Sequence, residues 1–399
     1  MNKIEQLIEK LCPNGVEFKA FKEIGVYVRG VTYKKSQEIP NCDNGIKVLR
    51  ANNIDIFYNR LNFNDIKTIS SLVKIKENQY LKENDILICA GSGSKEHIGK
   101  VAFISQDLNY VFGGFMGVLK INNPLVSSRY AFHILTSSIF KIHLNKELAS
   151  TTINNLSSTI INDFKIPIPP LEIQQEIVRI LDTFTELNAE LNTELNTRKK
   201  QYSYYRNYLL DFGTPENPKN GVEFKALGEV CKIYKGSQLN KMLLYSNGKY
   251  PVINGGILPS GYWDNFNEEA NTITISQGGA SAGYVNFIIS PFWAGAHCYV
   301  IKQKYNDVLY RYVYFFLKKC QNLMMKSQFG AGIPALNKSD IESLKIPIPP
   351  LEIQQEIVRI LDQFEALTSD LCQGLPAEIE ARNKQYEYYR AKLLSFKEL

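Results

Sequence analysis

"KIPIPPLEIQQEIVRILD" occupies residues 165–182 and recurs without a change at residues 345–362. Two weaker echoes flank it: "RKKQYSYYRNYLL" at 198–210 against "RNKQYEYYRAKLL" at 382–394, and "NGVEFKA" at both 14–20 and 220–226. Between these anchors the two halves diverge, so one frame carries two different payloads. A period this long is not that of a solenoid, which repeats every few tens of residues; it indicates a tandem duplication with pseudo-two-fold symmetry.

Within the repeat, "KIPIPP" favours an extended backbone and forbids a helix before Pro170, while proline is well accepted in a first helical turn. Helices are therefore expected to start at Pro170 and Pro350. From there apolar residues recur at steps of four and three: Ile173, Ile177, Ile180, Phe184, Leu187 and Leu191, and again Ile353, Ile357, Ile360, Phe364, Leu367 and Leu371. That is a heptad seam. It continues through Tyr202, Tyr205 and Leu209 in one half and Tyr386, Tyr389 and Leu393 in the other. An unbroken helix from Pro170 to Leu210 would reach roughly 60 Å. Two such helices bury their stripes most economically against each other, and the symmetry of the duplication makes them antiparallel. The first carries the tetrads "ELNA", "ELNT" and "ELNT" at residues 186–197; the second has "LCQGLPAEIE" there, with Gly374 and Pro376 expected to break it.

The payloads mix short strand-like runs with Gly, Asn and Ser turns. "DILICAGSGS" (85–94) and "NTITISQGGASAG" (271–283) read as strands entering glycine-rich loops, and helical stretches follow near Arg129 to Lys146 and Tyr310 to Lys326. The expected fold class is α+β: two globular domains separated by two long antiparallel coiled-coil helices, with boundaries at 1–165, 166–213, 214–345 and 346–399. The chain has 399 residues, 44% of them apolar and 22% charged, which suits a globular protein. A net charge of +6, from 46 basic and 40 acidic residues, suits a polyanionic partner. Seven dispersed cysteines without a C-x-x-C pair read as reduced thiols of a cytoplasmic protein, and the histidine spacing suggests neither a metal nor a cofactor. No run is long enough to span a bilayer, and the N-terminus lacks a signal-peptide core.

Catalytic constellations are missing from the sequence. The glycine loops lack the Lys-Ser/Thr of a P-loop. No Asp/Asn-Pro-Pro-aromatic segment is present to hold the target nitrogen of an amino-methyltransferase. The Glu17/Lys19 and Glu223/Lys225 pairs resemble part of a nuclease site but lack a paired upstream aspartate. His97, His133, His143 and His297 are scattered, so no serine or cysteine nucleophile has an assignable base. The chain is therefore expected to be no enzyme on its own.

Two divergent domains, each followed by a near-identical helix opening with "IPIPPLEIQQEIV", resemble the specificity subunit of type I restriction-modification enzymes. Weaker family-like elements are Arg29-Gly30, Lys235-Gly236 and the glycine loops after "DILI" and "TITI". The resemblance implies two target recognition domains reading a bipartite, asymmetric sequence in double-stranded DNA. It also implies helices that dock two methyltransferase subunits, with motor/nuclease subunits as further partners. Candidate DNA contacts, chosen as donors and acceptors suited to phosphates and base edges, are Arg29, Lys34, Lys35, Arg50, Asn52, Ser92, Ser94, Lys95 and Thr152 in the first domain. In the second they are Lys235, Ser237, Asn254, Gln277, Ser281, Lys326 and Gln328. The alternative is a two-headed protein-binding adaptor without DNA readout.

Overall fold

The structure, a computed structural model, describes residues 3–40, 44–55, 59–149, 155–326, 335–369 and 374–399; Thr152, Gln328 and Leu371 lie outside them. It divides into two compact units, Met1–Thr193 with Glu378–Leu399, and Glu194–Ala377.

In the first unit the echo at 14–20 and the start of the repeat at 165–182 prove to be partners. The strand Glu17–Ala20 pairs antiparallel with Lys165–Ile168, setting Phe18 opposite Pro167. A two-stranded ribbon tolerates proline because neither strand is central. The same pairing joins Glu223–Ala226 to Lys345–Ile348 in the second unit, with Phe224 opposite Pro347. Glu17 and Lys19 form an ion pair at 3.3 Å on this ribbon, and Lys225 lies between Glu223 and Asp307. The E-x-K spacing thus belongs to the frame.

Each ribbon leads into a helix whose first turn is anchored by one buried amide. Gln174 Oε1 accepts Ser127 N–H at 2.9 Å, while its Nε2 donates to Leu125 and Pro169 carbonyls at 2.8 Å. Gln354 does the same with Leu309 N–H and the Pro349 and Asp307 carbonyls. Eight residues further on, Asp182 takes a bidentate contact from Arg129, while Asp362 accepts from Arg311 Nε and Glu365 from Arg311 Nη2. The next residue in each case, Tyr130 or Tyr312, donates its hydroxyl to the carbonyl of Pro167 or Pro347. An Arg-Tyr pair therefore ties each payload helix, Ser128–Thr136 and Tyr310–Lys326, to the frame.

The payload of each unit is built on a four-stranded antiparallel sheet. In the first its order is Gly25–Arg29, Met116–Ile121, Ile86–Cys89, Val101–Phe103; in the second, Cys231–Lys235, Cys298–Gln303, Thr272–Ser276, Val285–Ile288. A smaller sheet beside each contains one parallel pair, Ile46–Leu49 with Tyr110–Phe112, and Tyr250–Ile253 with Trp293–Ala294.

The first frame helix runs unbroken over Leu171–Leu209, 39 residues. Its counterpart ends at Ser369 and a new helix starts at Leu375 with Pro376 in its first turn, where a missing N–H costs nothing. Inside the first unit Phe184 packs on Tyr386 and Tyr389, and Asn188 Nδ2 donates to Asn383 at 3.1 Å. The numbers rise along one helix and fall along the other, which makes the pair antiparallel. The symmetry-related cluster in the second unit is Phe364 with Tyr202 and Tyr205.

The seam departs from strict heptads. Leu187 is 39% exposed and Leu367 38%, while Asn188 and Thr368, one residue on, are buried. An α-helix of 3.6 residues per turn drifts against a 3.5 repeat, and here the drift brings the next residue inward. Ile173 is buried, yet its twin Ile353 is 46% exposed. In the first unit the N-terminal helix Lys3–Leu11 contributes Ile4 to the same core, and Lys3 pairs with Glu176 at 3.0 Å. Among the described residues the second unit has no such helix.

Candidate functional site

Both units build the same backbone crossing at the edge of the large sheet. In the first, Gly30 N–H donates to the Met116 carbonyl, Val31 N–H to Phe112, and Gly113 N–H to Leu49, at 2.7–3.0 Å. In the second, Gly236 donates to Cys298, Ser237 to Ala294, and Gly295 to Ile253, at 2.8–3.0 Å. A third strand end joins from behind: Ala90 N–H donates to Phe115 and Gln277 N–H to His297, both at 2.9 Å. Each then accepts from the segment entering the frame, Leu156 on Ala90 and Leu336 on Gln277. A Cβ on Gly30 would lie 2.1 Å from the Gly113 carbonyl oxygen, and one on Gly236 2.2 Å from that of Ala294. Only glycine lets these chains cross so closely.

Matching hydrogen bonds define matching positions; the glycines there are kept and the side chains beside them differ. Arg29 corresponds to Lys235, Arg50 to Asn254, Ala90 to Gln277, and Phe115 to His297. Arg29 Nη2 approaches Asn155 Oδ1 at 3.5 Å, whereas Lys235 sits over the Tyr299 ring, 5.9 Å from its centroid. Arg50 is braced by Asp65, its Nη2 donating to the carboxylate at 2.9 Å, and Asn52 donates to the same carboxylate at 3.0 Å. Asn254 turns its Oδ1 onto His297 N–H at 3.2 Å. Trp293 donates its indole N–H to the Ser237 carbonyl at 3.0 Å and meets Trp263 edge-on.

In the first unit the crossing opens into a cavity of about 1210 Å³, lined by Arg29, Lys35, Arg50, Asn52, Ser92 and Lys100 among others. Lys100 is buried with its Nζ on the Ile54 carbonyl at 2.8 Å, and burial pulls its pKa below the ordinary lysine value. The lining thus combines the cations Arg29, Lys35, Arg50 and Lys100 and the amide of Asn52 with the carboxylates of Glu38 and Asp55 and with apolar Val31, Ile54 and Met116.

Five of the predicted contact residues therefore share one cavity. Lys34 and Ser94 are exposed on adjoining turns, and Lys95 lies in the short turn Lys95–His97. In the second unit Lys235, Ser237, Asn254 and Gln277 converge on the crossing. Ser281 forms the turn that precedes Tyr284, and Lys326 ends the payload helix, both outside the crossing. Sequence reasoning passed over Phe115, which is 74% exposed, and His297 as site residues. The available signal was an aromatic ring two residues after a glycine, in "GGF" and "GAH". Among the described residues no three or more His, Cys, Asp or Glu side chains gather in a way that could hold a metal ion. No described helix is long and apolar enough to cross a membrane.

The chain matches the family model "Type I restriction modification DNA specificity domain" over residues 13–198 and again over 219–381. Both matches span a payload and its frame helix. The chain belongs to this family of DNA specificity domains. It is 38% identical over 260 residues to the specificity subunit of the type I restriction enzyme EcoR124I/EcoR124II of Escherichia coli, covering 58% of this chain and 63% of that one. To the specificity subunit of the type I restriction enzyme MpnII of Mycoplasma pneumoniae it is 30% identical over 310 residues, 61% of this chain and 92% of the relative. The fold is shared with the crystal structure of a type I S subunit from M. genitalium, with a TM-score of 0.61 at 17% identity over 96% of this chain and 97% of the other. The duplicated specificity domain thus accounts for both the repeated frame and the paired crossings.

Proposed function

We propose that the chain is the non-catalytic sequence-reading subunit of a type I restriction-modification complex. Residues 1–165 and 214–345 serve as target recognition domains, each reading one half of a bipartite, asymmetric site in double-stranded DNA. Residues 166–213 and 346–399 form the spacer frame that docks two methyltransferase subunits, with motor/nuclease subunits joining for cleavage. The complex works in the cytoplasm, on DNA. One observation carries the reading: a single backbone crossing recurs in both units with its glycines kept and different side chains at Arg29/Lys235, Arg50/Asn254, Ala90/Gln277 and Phe115/His297. Unlike surfaces on like frames are what an asymmetric target demands, whereas identical subunits read palindromes.

The test uses purified chain with and without the methyltransferase subunit encoded beside it. Alone, with DNA, Mg²⁺ and S-adenosylmethionine, the chain transfers no methyl group; the assembled complex methylates. Binding of the complex falls with salt at a log–log slope of several units, as phosphate contacts require. Methyl transfer by the chain alone contradicts the non-catalytic role, and salt-insensitive association would instead fit a protein-binding adaptor.

A further inference from the structure

The matching crossings narrow the sixteen candidate contacts to one pair whose surroundings are built to aim them. Arg50 and Asn254 occupy the same place, one residue past the strand that runs parallel to its neighbour in the small sheet. Both are half-buried, so each side chain is guided by walls on its own unit. Each is held by a device the other lacks. The Arg50 fork is braced through Nη2 by the Asp65 carboxylate and carbonyl, and its Nε is buried without a partner. The Asn254 amide is seated by His297 N–H and by the bare Cα of Gly295, where a Cβ would come within 2.3 Å of Oδ1. In the first unit a Cβ on Gly113 would meet Arg50 only at 3.9 Å, an ordinary contact.

Resting on the DNA-reading function above, we propose that Arg50 and Asn254 are equivalent specificity-determining residues, each fixing one base of its own half-site. With Nη2 turned onto Asp65 and Nε buried, the two remaining Nη1 hydrogens of the braced guanidinium suit the acceptors O6 and N7 of guanine. A seated amide, with one Oδ1 lone pair taken by the backbone and the second available, suits the N6 donor and N7 acceptor of adenine. Asp65 and Gly295 are positioning residues that act through them and touch no base.

The experiment is methylation-sensitive sequencing of DNA from cells expressing the full chain with its methyltransferase subunit, comparing wild type with single variants. Arg50→Ala and Asp65→Gly should both lose discrimination at one and the same base of one half-site, roughly tenfold or more for Arg50→Ala. Glycine suits the left-handed φ of 52° at Asp65, so that variant removes the carboxylate without straining the turn. Asn254→Ala and Gly295→Ala should relax one base of the other half-site in the same way. Where a variant methylates too weakly to score, competition of the purified complex against duplexes substituted one base at a time reads the same discrimination.

A wild-type motif that survives Arg50→Ala and Asn254→Ala unchanged overturns this inference and leaves DNA reading standing. So does a full motif with Arg50→Lys, which keeps the charge but not the planar fork and would assign Arg50 to a phosphate. Absence of any motif in the wild type overturns the DNA reading itself, and this inference with it.

Discussion

At Gln174 and Gln354 a residue type that normally faces water is wholly buried, and every polar atom of its amide is matched. Truncating either would strand buried carbonyls and N–H groups at about 1–3 kcal/mol apiece, which explains a motif that reads at first like an ordinary polar helix start. His133 shows where the two copies part. Its Nε2–H donates to the Asp182 carboxylate at 2.8 Å and the ring is buried, and its counterpart, one turn past Arg311, is Phe315. Burial lowers the His133 pKa despite the Asp182 carboxylate, so the folded state holds a neutral ring; Nδ1, buried without a partner, then carries no proton and needs no acceptor. Burial would raise the Asp182 carboxyl, but hydrogen bonds from His133 and Arg129 outweigh it and hold its pKa at about 2. The signs agree. The unfolded chain takes up a proton at His133 that the folded chain resists, so stability is lost as pH falls below roughly 6.5; Asp182 adds a second loss from about pH 4 downward. His133→Phe should therefore flatten the stability of the first unit between pH 7.5 and 5.5, read as the shift in urea midpoint. An unchanged acid sensitivity would assign it to other groups.

Along the frame helices the seam, the antiparallel pairing and the break before Pro376 were legible because they are periodic or proline-driven. The ribbon of "EFKA" on "KIPI" was not, since partners roughly 120 to 150 residues apart leave no local pattern even though both stretches repeat. Nor was the inward turn of Asn188 in place of Leu187, which depends on helical drift and on Asn383 waiting opposite. The tetrads fall where the first unit gives way to the second, at Thr193, within a helix that has no break. Deleting residues 190–193 removes about 6 Å of rise and about 40° of phase. The expected outcome is a changed gap between half-sites with both half-sites kept, measured by methylation-sensitive sequencing; an altered half-site would contradict the helix as a spacer.

Across the whole molecule, composition pointed only as far as a globular chain with mild positive charge, and the duplication carried the rest. What the repeat could not disclose was which payload residues meet. Arg29, Arg50, Lys235, Asn254 and Gln277 were chosen by chemistry and flanking turns, and they fall on matching crossings. Phe115 and His297 reach the same place through backbone hydrogen bonds that no residue type announces. On the proposed function, one frame presents two unlike reading surfaces. The most direct test is methylation-sensitive sequencing of DNA from cells carrying this chain and its methyltransferase subunit, against cells lacking the chain. The expected result is a single motif with two different half-sites separated by a fixed, unread gap. A palindromic or ungapped motif would contradict it.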